Sequence, residues 1–197
     1  AHPHTSCNEE FVVVHNGIIE NYLSLKEELL KQGHEFSSET DTEVLVHLLE
    51  ENYTGDFEET VRQVITKLEG SYAFVAMTIH EPDELVAVRQ DSPLIVGLNG
   101  KEYFVASDIP AILEYTDEVY IVDDGEMAVI TQNGVNLSTI EGKPVDKEVF
   151  TVDWDPGMAE KAGYEHFMLK EIHEQPEALR RAISGRLSND NQKVILE

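Results

Sequence analysis

The segment His15-Asn16-Gly17-Ile18-Ile19-Glu20-Asn21 combines residue types that suit acyl chemistry. A turn between a buried strand and a helix can set a backbone N–H beside an Asn side-chain amide. Two such donors suit an oxyanion hole, which stabilises charge developing on a carbonyl oxygen. The same residues also satisfy a plain turn, which uses Asn and Gly for backbone freedom alone. A second segment, Ser37-Ser38-Glu39-Thr40-Asp41-Thr42-Glu43, places Asp41 in the first turn of an expected helix. The helix macrodipole favours a carboxylate there. That carboxylate can equally receive a substrate ammonium. His2-Pro3-His4 offers two imidazoles without Cys or carboxylate at ligand spacing, which does not make a metal site. Cys7, the only cysteine, is either a nucleophile or a bystander thiol in a loop.

Three blocks of sequence must position these residues. Phe11–Val14 reads as a short buried strand, and His15-Asn16-Gly17 as the turn after it. Ile18, Tyr22, Leu25 and Leu29 then recur at helical spacing, with Gly33 as the C-cap. Thr40-x-x-Glu43 reads as a capping box ahead of the stripe Val44, Leu45, Leu48 and Leu49. A third helix starts at Asp56 and carries Phe57, Val61, Val64, Ile65 and Leu68 on one face, ending at Gly70. The middle block is strand-rich. In Tyr72–Ile79, residues Tyr72, Phe74 and Ala76 point one way and Ala73, Val75, Met77 and Ile79 the other. Leu94–Leu98 and Tyr103–Ala106 read as a hairpin turned at Asn99-Gly100. Val119–Val122 and Met127–Thr131 read as a second hairpin, joined through Asp123-Asp124-Gly125, and Val149–Trp154 as a last strand. The final block returns to helix over Tyr164–Glu174. Pro176 is expected to break that helix and open another, which ends at Gly185.

Helices, strands and helices in blocks indicate an α+β fold rather than alternating βαβ units. Strands apolar on both faces need helices on one side and a second sheet on the other, which gives a layered α-β-β-α sandwich.

The chain has 197 residues, 41% of them hydrophobic and 27% charged. This composition belongs to a soluble globule that needs no disulfide or metal staple to fold. Lys and Arg total 14 against 39 Asp and Glu, a formal net charge of −25. That balance argues against nucleic acid and anionic membrane surfaces as partners. The longest apolar run, Tyr72–Met77, is far too short to span a bilayer. A single cysteine fits a reducing, cytoplasmic setting.

AHPH, VVVHNGIIENY, SSETDTEVLVHLL and LEGSYAFVAM follow in order and at close spacing. With LIVGLNGKEYFVASD, DDGEMAVI and YEHFMLKEIHEQP, they resemble the glutaminase part of the glutamine–fructose-6-phosphate aminotransferase family over nearly the whole chain. The resemblance implies an N-terminal-nucleophile hydrolase sandwich over residues 1–185. Residues 186–197 would then start a linker to a sugar isomerase domain. It implies that Asn16 and the N–H of Gly17 form the oxyanion hole. Asp41 would bind the α-amino end of glutamine, and His2 would lie beside the glutamine pocket. No metal or organic cofactor is implied.

In such enzymes a cysteine at the mature N-terminus attacks the carboxamide, ammonia leaves, and water hydrolyses the thioester to glutamate. The ammonia serves to convert fructose 6-phosphate to glucosamine 6-phosphate. Cys7 follows the AHPH motif and does not match that nucleophile. The expectation is therefore a fragment whose nucleophile and first strands lie upstream of Ala1. It would be inactive alone, would bind glutamine or glutamate at most weakly, and would self-associate to cover exposed sheet edges. The alternative is a non-catalytic amino-acid-binding or regulatory module on the same scaffold.

Overall fold

In the computed structural model the structure describes residues 2–100, 102–153 and 164–183. The chain divides into two compact units, residues 1–153 and 154–197. The boundary expected after Gly185 lies outside the described residues.

The first unit opens with β1 (His4–Thr5) and β2 (Phe11–Ile19). Three helices follow: α1 (Tyr22–Gln32), α2 (Asp41–Asn52) and α3 (Phe57–Ile65). Next come β3 (Gly70–Thr78), β4 (Glu84–Gln90), β5 (Ile95–Leu98) and β6 (Tyr103–Ala106). After a 3-10 turn at Ile109–Ala111 come β7 (Glu118–Ile121), β8 (Glu126–Thr131), β9 (Gly134–Thr139) and β10 (Phe150–Thr151). Two antiparallel sheets result, ordered β1-β2-β3-β4-β8-β9 and β10-β7-β5-β6.

Side-chain alternation along β3 builds two separate cores. Tyr72, Phe74 and Ala76 pack with Leu29, Val44, Leu45, Leu49, Phe57 and Val61, joining the six-stranded sheet to the helices. Ala73 packs the opposite way with Leu94, Val96, Val122 and Ile130, joining the two sheets. Both faces of β3 are dry, as its sequence requires, apart from its far end, where Met77 is exposed. A third cluster, Ile95, Ile112, Val119 and Val152, lies with Ile109 and Leu113 on the outer side of the second sheet. The molecule is an α+β sandwich. Within residues 1–153 the outer side of the second sheet carries the 3-10 turn and its flanks.

Several local expectations change. His15-Asn16-Gly17 is not a turn, because β2 runs through it to Ile19 in continuous register with β3. Ile18 is accordingly a strand residue, and α1 starts only at Tyr22. Pairing with β3 extends the strand past residues that would otherwise favour a bend. Thr40 makes no side-chain cap to α2. Glu43 reaches further back instead, accepting from the backbone N–H groups of Ser37 at 2.6 Å and Ser38 at 2.7 Å. By contrast, Asp56 caps α3 as expected, accepting from Glu59 N at 2.9 Å. Gly33 closes α1 with φ +102°.

The turn between β5 and β6 sits one residue later than the Asn-Gly pair implied, with Asn99 N donating to Glu102 O at 3.1 Å. β7 and β8 are not a hairpin: β7 lies in the second sheet and β8 in the first. The Asp123-Asp124-Gly125 link therefore crosses between sheets. Turn chemistry marks a change of direction but not the partner strand. The hairpin partner of β8 is β9, which sequence periodicity did not reveal.

In the second unit, α4 (Phe167–Ile183) is one helix with Pro176 inside it, not two helices. Pro176 leaves the Ile172 carbonyl without its intrahelical donor. Both residues are exposed, where water can take that role. No helix among the described residues is long and apolar enough to cross a membrane.

Candidate functional site

The site is built on one edge of β2. Glu20 N donates to Glu69 O at 2.8 Å, and Ile79 N to Glu10 O at 3.0 Å. In an antiparallel ladder, hydrogen-bonded pairs alternate. These two bonds therefore assign the even-numbered residues of β2, Asn16 among them, to the bonds with β3. Because the peptide is trans, the N–H of Gly17 points the opposite way, to the other edge of the strand. Neighbouring β1 pairs with β2 only at Val12 and Val13, so it does not extend to Gly17.

Asp41 occupies that same edge. Its Oδ2 accepts from Ile19 N at 2.8 Å and its Oδ1 from Thr42 N at 3.0 Å. Residues two apart on a strand are separated by about 6.6 Å, so the Gly17 N–H and the Asp41 carboxylate are neighbours at roughly that spacing. A carboxylate has about four lone-pair sites, so Asp41 keeps acceptor capacity for a further donor.

Gly17 could be no other residue. Its φ is +125°, and a Cβ there would lie 2.1 Å from Ser71 O. Only a residue without a side chain lets β2 and β3 approach this closely at that angle.

Asn16 is exposed. Its side chain lies on the face of β2 that looks toward the second sheet. There it lines a cavity of about 120 Å³ with His2, Val14, Ala73, Leu94, Val105 and Ser107, among others. His2 thus shares the cavity with Asn16, and Asp41 stands on the edge at Ile19.

Behind the edge, His15 is buried and its Nδ1 lies 2.9 Å from Thr42 Oγ1, which ties β2 to the first turn of α2. Burial lowers the His15 pKa, while the nearby Asp41 charge works in the opposite direction. His15 is thus held neutral and positions the helix that carries Asp41. Sequence reading passed over it as a turn residue, although its place in an apolar strand was the available signal. His4 Nε2 lies 3.4 Å from Thr40 Oγ1 and fastens β1 to the start of the same helix. Glu43 anchors the loop before Asp41 through Ser37 and Ser38. Burial pushes its carboxyl up, but the hydrogen bonds from Ser38 and Ser37 together outweigh this and hold it at about 2.

Cys7 is not part of this group. Its Sγ neighbours are His34 Nδ1 and His47 Nδ1, each at 3.6 Å. Burial, followed by the Glu50 carboxylate, pushes the thiol up, opposite to what an activated nucleophile needs.

Comparison with known proteins shows the family. A family profile described as "Glutamine amidotransferase domain" matches residues 1–114. The chain is 56% identical over 191 residues to a glutamine–fructose-6-phosphate aminotransferase (isomerizing) of Aquifex aeolicus, covering 97% of this chain and 32% of that protein. A Thermococcus kodakarensis protein of the same name is 52% identical over 188 residues, covering 94% and 31%. The chain thus spans about a third of the length of the curated relatives it matches.

Among solved structures, a B. subtilis glutamine phosphoribosylpyrophosphate amidotransferase superposes with a TM-score of 0.60 at 30% identity, covering 70% of this chain and 31% of that one. A glutamine aminotransferase class-II domain protein from Silicibacter pomeroyi shares the fold, with a TM-score of 0.55 at 18% identity and 70% of each chain covered. The profile covers more than half of the sequence, and the chain belongs to the glutamine amidotransferase domain family.

Proposed function

We propose that the chain carries the substrate-binding edge of a glutaminase that supplies ammonia for making glucosamine 6-phosphate from fructose 6-phosphate. The observation behind this is the pairing of the Gly17 N–H with Asp41 on one strand edge, at a spacing that an extended glutamine side chain can bridge. Asn16 and Gly17 receive the oxygen of the carboxamide as it becomes an oxyanion. Asp41 takes the α-ammonium, and His2 lies beside the glutamine pocket. The attacking cysteine belongs to a segment outside this chain. Attack expels ammonia and leaves a thioester, which water hydrolyses to glutamate.

The isolated chain accordingly hydrolyses no glutamine, since its one thiol sits against His34 and His47. Val14, Ile18 and Met77 stand exposed on one face of β2 and β3, which supports self-association. Light scattering that shows only monomer at high concentration would count against that part.

A coupled assay for glutamate tests the main reading. The chain alone gives no turnover. Joined to the N-terminal segment of the Aquifex aeolicus relative, it turns over glutamine. In that fusion Asn16→Ala lowers kcat by about 100- to 1,000-fold, the usual effect of losing one oxyanion donor. Turnover by the isolated chain that disappears in Cys7→Ala would overturn the proposal. It would favour a different chemistry on this scaffold.

A further inference from the structure

Away from the β2 edge, Cys7, His34, His47 and Glu50 each offer one ligand atom, and these atoms lie within 4.8 Å of one another. The residues come from three places: the β1–β2 connection, the segment after α1, and one face of α2, where His47 and Glu50 are three apart. We propose that these four side chains form a tetrahedral zinc site that pins the β1–β2 connection to the helical layer.

Geometry carries the proposal. Zinc bonds of about 2.3 Å to sulfur and about 2.0 Å to nitrogen or oxygen give tetrahedral edges of about 3.6 Å for S···N and about 3.3 Å for N···O. Cys7 Sγ lies 3.6 Å from the Nδ1 of each histidine. His34 Nδ1 lies 3.3 Å from Glu50 Oε2, and His47 Nδ1 lies 3.8 Å from the same oxygen. Three of these four edges match zinc, and the fourth is half an ångström long.

One outer group agrees. His34 turns its Nε2 to Glu51 Oε2 at 3.1 Å. A carboxylate there keeps the ring proton on Nε2 and leaves the Nδ1 lone pair facing inward, the arrangement found behind zinc-bound histidines. His47 Nε2 lies 3.6 Å from Glu43 Oε1, a charge neighbour without a hydrogen bond. Cys7 Sγ also accepts a hydrogen bond from Glu35 N at 3.3 Å, which suits a thiolate. The other oxygen of Glu50 is held by Asn8 N at 3.0 Å. His47 is 1% exposed, so its ring is fixed by packing.

Without a metal the thiol donates to Glu35 O at 3.8 Å. With the ring protons on Nε2, its sulfur also faces two imidazole nitrogens and a carboxylate, all acceptors. A cation satisfies all four together. On binding, the thiol proton passes to solvent and both imidazoles stay neutral. The mixed S, N, N, O set suits zinc better than a hard ion such as magnesium or calcium. With four protein ligands, the site is of the closed, structural kind.

The test uses the full chain, stripped with a chelator and titrated with zinc alone, then with cobalt(II) alone as a spectroscopic probe. The chain should take up one zinc per molecule and keep it through gel filtration, with a thermal midpoint raised by several degrees. The cobalt complex should show a thiolate-to-metal charge-transfer band. Cys7→Ser should abolish that band, and His34→Gln should weaken zinc binding by at least 100-fold. Substoichiometric zinc, a cobalt complex without the band, or unchanged affinity in folded Cys7→Ser would each overturn the site. If Cys7→Ser does not fold, stoichiometry and the band in the unmodified chain decide the matter.

Discussion

Replacing Gly17 with Ala tests how the candidate edge is built. The added Cβ would sit 2.1 Å from Ser71 O and 2.8 Å from Tyr72 Cα, at a φ of +125°. Holding a non-glycine residue in such a backbone region costs about 1–3 kcal/mol. The clash cannot be relieved by a side-chain rotation, because both neighbours are backbone. The strands must separate by about an ångström, which weakens one or two ladder bonds worth roughly 1 kcal/mol each. Together these predict a loss of about 2–5 kcal/mol, a large share of the 5–15 kcal/mol typical of a domain. For a chain of this size that lowers the thermal midpoint by roughly 10 °C. Urea denaturation followed by circular dichroism measures the loss directly. Gly100→Ala is the control: its φ is +62° and nothing lies within 4 Å of the added carbon. It should cost only about 1 kcal/mol. If both variants lose the same amount, the close approach of β2 to β3 at Gly17 is wrong.

Two other substitutions probe the supports of the site. Glu43→Gln removes a carboxylate held at about 2, against an ordinary value of 4.5, by the bonds from Ser38 and Ser37. A depression of that size contributes about 3 kcal/mol of stability at neutral pH. The unfolded chain binds the proton more readily, so this contribution is full above pH 4.5 and fades as pH falls toward 2. In metal-free buffer, the stability gap between the two proteins should narrow over that window; a gap independent of pH would contradict the assignment. Arg62→Lys removes a fork in which Nη1 donates to Thr139 O at 2.6 Å and Nη2 to Ser138 Oγ at 2.7 Å. Lysine keeps the charge but not the planar pair of donors. The variant should lose about 1–2 kcal/mol, measured by urea unfolding, and no loss would show that α3 is not fastened to β9 this way.

Much of the layering could be read from the chain because burial leaves a periodic trace. The two dry faces of Tyr72–Ala76 required a sheet on one side and helices on the other, and Asp56 and Gly33 marked helix ends by local chemistry. What sequence could not supply was partnership. Gly17 looks like a turn residue until Ser71 is seen across the ladder. Asp123-Asp124-Gly125 looks like a hairpin until β7 and β8 are seen in different sheets. The same limit hid the cluster around Cys7. His34 and His47 are thirteen apart and Cys7 much further away, so only the packing of α1 and α2 brings them together. Asn16, Gly17 and Asp41 were legible as candidates from their residue types and from the resemblance, and the common edge of Gly17 and Asp41 is a property of the fold.

Backbone and side-chain amide resonances of the labelled chain, followed while L-glutamine is added, test that common edge most directly. The Gly17 backbone amide and the Asn16 side-chain amide should shift together, and both shifts should vanish in Asp41→Asn. Shifts that persist unchanged without the Asp41 carboxylate, or resonances at Asn16 and Gly17 that stay fixed at the highest glutamine concentration, would contradict it.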